Sequence, residues 1–83
     1  MTQLEKALRT LGLVGEVDLS GRWARLHGEQ CAVYVVEAAN TSGYYTWCDE
    51  PYARSVEFYL DPSVAIQTGL HRARGREQNG LDR

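Results

Sequence analysis

Cys31 and Cys48 are the residues best suited by type to hold a metal or to bridge, yet their spacing favours neither. A zinc site legible in sequence needs paired short spacings such as C-x₂-C, and none occurs here. A disulfide depends on strand register. With a tight Asn40-Thr41-Ser42-Gly43 loop, Cys48 falls opposite Val35, ~13 Å along the strand from Cys31, beyond the ~7 Å Cα separation that a bridge tolerates. A longer loop, Glu37 to Ser42, would set the two cysteines directly opposite each other. The tight loop is the preferred reading, with both cysteines as small core residues.

Other chemistry-bearing types are as sparse. His27 falls at a strand end near Arg25, and His71 falls on a helix among arginines; neither has a nucleophile at a readable spacing. Ser20, Ser42, Ser55 and Ser63 occupy turns and caps, where serine belongs for conformational reasons. Asp49 and Glu50 read the same way, as turn and cap residues rather than a general acid and base. The eight glycines fall singly, so no phosphate-binding loop is present. No catalytic residue, metal ligand or cofactor is assigned, and a non-enzymatic protein is expected.

The aromatic residues carry more information. All eight lie between Trp23 and Tyr59. Period-two alternation divides Cys31 to Ala38 into Cys31, Val33 and Val35 against Tyr34 and Val36. It divides Tyr44 to Asp49 into Tyr44, Thr46 and Cys48 against Tyr45 and Trp47. One sheet face then collects Val17, Leu19, Ala24, Leu26, Cys31, Val33, Val35 and Cys48, and the other collects Trp23, Arg25, Tyr34, Val36, Tyr45 and Trp47. Aromatic residues and Arg are the types enriched at interface hot spots. Trp23, Arg25, Tyr34, Tyr45 and Trp47 are therefore the candidate binding residues, for a second copy or a protein partner. The same set would stack bases of a single strand or line a small-molecule pocket. A third reading has the face covered internally, by the N-terminal helix packing opposite to the C-terminal one.

The elements that must position these residues are readable in outline. Thr2-Gln3-Leu4-Glu5 has the form of a capping box. Leu4, Ala7, Leu8 and Leu11 follow as one helical stripe, and Gly12 ends it. From Gly15 the period changes to two. A Ser20-Gly21 turn pairs Glu16 with Arg25 and Val17 with Ala24; a Gly28-Glu29 turn then pairs Leu26 with Cys31 and Trp23 with Tyr34. Asp49-Glu50-Pro51 breaks the next strand. Ser55 to Leu60 reads as a further strand, Val56, Phe58 and Leu60 alternating with Glu57 and Tyr59, although Pro51, Tyr52, Val56 and Leu60 also suit a helix. The β-forming residues favour strand. Asp61-Pro62 starts a helix whose stripe is Ile66, Gly69, Leu70 and Ala73. Gly69 costs ~1 kcal/mol at mid-helix relative to Ala, which suggests close approach to the sheet. Gly75 is expected to end this helix.

The result is an α+β fold, an antiparallel meander of three to four strands flanked by an N-terminal and a C-terminal helix packed mainly on the aliphatic face. Residues 1–75 form one domain, and 76–83 a frayed tail. A chain of 83 residues buries a modest share of its surface, and association is a common remedy. Residues 1–70 carry nine acidic and five basic groups, and residues 71–83 carry four Arg against Glu77 and Asp82. An acidic body disfavours nucleic acid, which needs a basic face. The apolar run Cys31 to Val36 is too short to span a bilayer. The opening Met-Thr-Gln-Leu-Glu-Lys lacks the basic region and apolar core of a signal peptide. A cytoplasmic protein with no membrane partner is expected.

Overall fold

The computed structural model describes residues 1–39, 43–49 and 56–81, with side chains described as far as Arg74. Helix α1 (Gln3–Leu11) begins at the expected capping box. The Glu5 N–H donates to Thr2 Oγ1 at 3.2 Å, and the Thr2 N–H donates to Glu5 Oε1 at 2.8 Å. Gly12 closes the helix at φ 71°, a left-handed conformation that costs glycine little. Leu4, Ala7 and Leu8 are buried, so the stripe read from the sequence is the packed one.

Five strands follow: β1 (Glu16–Val17), β2 (Trp23–His27), β3 (Ala32–Glu37), β4 (Tyr44–Cys48) and β5 (Glu57–Tyr59). They form one antiparallel meander in the order β1-β2-β3-β4-β5. Helix α2 (Pro62–Leu81) completes the α+β layout. It starts at Asp61, whose Oδ1 accepts from the Ser63 N–H at 2.8 Å. It runs on through Gly75 to Leu81, past the end expected at Gly75. Glycine weakens a helix interior by ~1 kcal/mol and stops it only when it turns left-handed.

The first hairpin has the expected register, Glu16 opposite Arg25 and Val17 opposite Ala24. Strand β1 stops sooner than alternation suggests, because the Asp18 carboxylate gathers the N–H groups of Ser20, Arg22 and Trp23 into a loop. Leu19, assigned to the aliphatic face, lies in that loop and is fully exposed.

The next two registers each differ by two residues from expectation. Leu26 faces Val33 rather than Cys31, and Trp23 faces Val36 rather than Tyr34. A two-residue Gly28-Glu29 turn would call for a positive φ at Gly28, but positive φ among the described glycines is confined to Gly12 and Gly21. Gly28 instead donates to the Cys31 carbonyl at 3.0 Å. It lies beneath α2, where a Cβ would stand 2.8 Å from that of Ala73. Cys31 thus belongs to the loop, and β3 begins at Ala32. Between β3 and β4, Cys48 faces Val33, neither Val35 nor Cys31. Residues 40–42, and the expected break at Glu50-Pro51 with Tyr52 and Ser55, lie outside the described residues.

A shift of two preserves the faces. Ala24, Leu26, Val33, Val35, Tyr44 and Cys48 form one core cluster with Leu4, Ala7 and Leu8 of α1 and Ala65, Ile66 and Ala73 of α2. Both helices therefore cover the same side of the sheet, α2 lying on β3 and β4 and α1 lying against α2. Gly69 permits the close approach: a Cβ there would sit 2.6 Å from both Thr46 Oγ1 and Val33 Cγ1. The Cys48 thiol donates to the Gly69 carbonyl at 3.5 Å. Among the described residues, no helix is long and apolar enough to cross a membrane.

Candidate functional site

The uncovered face of the sheet is organised as two rows that run across the strands. One reads Glu16, Arg25, Tyr34, Trp47, and the other reads Trp23, Val36, Tyr45, Phe58, each residue directly opposite the next. Trp23, Arg25, Tyr34, Tyr45 and Trp47 are thus brought onto one surface, as their alternation requires. His27 ends β2 at the margin of the same face, opposite Ala32.

In the first row, Tyr34 and Trp47 stack with ring centroids 5.4 Å apart and planes 18° from parallel. Arg25 is held between neighbours: its Nε donates to Tyr34 Oη at 3.2 Å and its Nη1 donates to Glu16 Oε1 at 3.3 Å. The hydroxyl bond first, and the carboxylate second, raise the Arg25 pKa above its ordinary value. This guanidinium is already engaged within the chain, which limits what it offers to a phosphate.

The second row carries no charge. Tyr45 and Phe58 meet at 5.1 Å with planes tilted by 59°, and the Phe58 ring also lies over Gly43, where a Cβ would collide with it. The ring thus covers backbone just before β4 that has no side chain of its own. Trp23, Tyr45 and Phe58 remain 41%, 43% and 43% exposed, large values for rings of this size. Phe58 is a member of the face that sequence reasoning did not assign. Its alternation with Glu57 and Tyr59 was legible, but the direction of that strand's pleat depends on pairing with β4.

The inward side of β5 explains the pleat. Glu57 accepts from the Tyr59 hydroxyl at 2.9 Å and is bridged by Arg72 of α2. This hydrogen bond, followed by burial, raises the Tyr59 pKa. A polar cluster anchored on the helix thereby turns Phe58 outward.

At the opposite edge, the Asp18 pKa is lowered, chiefly by the Ser20 hydroxyl, which donates to Oδ2 at 2.7 Å. Asp18 and Glu16 make the β1 edge of this face acidic, with Arg25 alongside. The β5 edge offers Val56 and Phe58, both exposed and uncharged.

Elsewhere, an open groove of about 480 Å³ runs between α1 and the start of α2, beside Lys6, Thr10, Leu60 and Asp61. Another of about 740 Å³ lies beside Met1, Leu8, Leu13 and Val17. Neither is lined by a residue of the two rows. Among the described residues, no group of three or more His, Cys, Asp or Glu side chains is placed to hold a metal.

Compared with known proteins, the chain matches no family model, and no curated protein or solved structure is similar to it.

Proposed function

We propose that this protein is a small, non-enzymatic association module that pairs with a second copy of itself through its aromatic sheet face, acting in the cytoplasm. The observation that supports this most is the packing of both helices on one side of the sheet. The other side is left with Trp23, Tyr45 and Phe58 exposed in a single uncharged row. A contiguous apolar patch of this kind marks an interaction surface rather than ordinary exterior.

Charge favours a protein surface over a nucleic acid. Arg25, the cation of the two rows, is paired with Glu16, and a strand-binding groove needs several free cations. A polar rim around an aromatic centre is instead the anatomy of a protein interface.

The size of the face sets the strength. Five strands at ~4.8 Å spacing and about five residues at ~3.3 Å give roughly 19 by 17 Å, or about 320 Å² in projection. This is smaller than the ~800 Å² per partner of a standard stable interface. A weak, dilution-sensitive dimer is expected.

The test is native molar mass by light scattering over a range of loading concentrations, at low and high salt. The mass should rise from 9.3 kDa toward twice that value with concentration, and the rise should survive salt because the contact is apolar. Trp23→Ala should weaken association about 30-fold, the effect of a hot spot worth ~2 kcal/mol, while leaving the unfolding midpoint nearly unchanged. A mass of one chain at every concentration would remove this reading. A planar ligand on the stacked Tyr34 and Trp47 rings would then be sought by Trp fluorescence.

A further inference from the structure

We draw no further inference here: the strongest candidate, the open groove between α1 and β1 beside Met1, Leu8, Leu13 and Val17, carries none because nothing in the structure shows what covers it.

Discussion

Replacing Gly69 by alanine sets two known effects against each other at one position. Alanine is favoured over glycine in a helix interior by ~1 kcal/mol, so on propensity Gly69→Ala should stabilise α2. Packing opposes it. The added methyl would stand 2.6 Å from Thr46 Oγ1 and 2.6 Å from Val33 Cγ1, where ~3.5–4.0 Å is the comfortable range. Neither neighbour has room to yield, as Val33 is 0% and Thr46 2% exposed. The helix must lift by about 1 Å, and such overpacking costs ~1–3 kcal/mol. Subtracting the propensity gain leaves a net loss of about 1 kcal/mol, reaching 2 if the core cannot adjust. In a domain of this size each kcal/mol moves Tm by ~4–8 °C, so a fall of about 5–15 °C is expected by circular dichroism, with a matching shift in urea. Val33→Ala vacates one of the two obstructing positions. In that background Gly69→Ala should cost less, with a coupling of at least ~0.5 kcal/mol. A Gly69→Ala protein as stable as the parent, or a cost identical in both backgrounds, would refute the close-contact reasoning.

Three further outcomes are expected from the core and caps. Thr2→Ala removes the capping box and also the bond from Thr2 Oγ1 to the Gly21 carbonyl at 2.6 Å, so it should cost about 1 kcal/mol or slightly more in urea unfolding. Thr46 Oγ1 is buried without a hydrogen-bond partner among the described residues. Thr46→Val keeps its shape and should raise stability by about 1 kcal/mol, visible as a higher urea midpoint. The Asp18 pKa is lowered in the fold, so its contribution is complete above the unfolded value of ~3.9 and is lost as pH falls through the folded value. Asp18→Asn should therefore lower stability at pH 7 and flatten the acid limb of the stability profile; an unchanged limb would show that the carboxylate contributes nothing through the loop.

Both helix starts, the Gly12 stop and the first hairpin's register were legible because each is a local matter. A capping box closes within four residues, and a short turn leaves the chain little choice of pairing. The later registers were not legible to the same degree. Each was displaced by two residues, and at the β2–β3 turn Gly28 lies under α2 close to Ala73, a proximity that no local signal encodes. That displacement matters to the candidate site: it is why Tyr34 stacks on Trp47 and why Trp23 shares a row with Tyr45.

The sequence by itself determined which side chains share a face of each strand, because the pleat alternates with period two whatever the strand pairs with, and any even shift in register leaves that sorting intact. Aliphatic and aromatic sides were thus separated before any pairing was known. Only the tertiary structure decided how the strands slide past one another, that α1 docks against α2 rather than under the aromatic face, and that Glu57 and Tyr59 turn inward to meet Arg72 while Phe58 turns out. Those choices rest on contacts between elements distant in the chain, whose energies exceed the small local preferences that sequence patterns report.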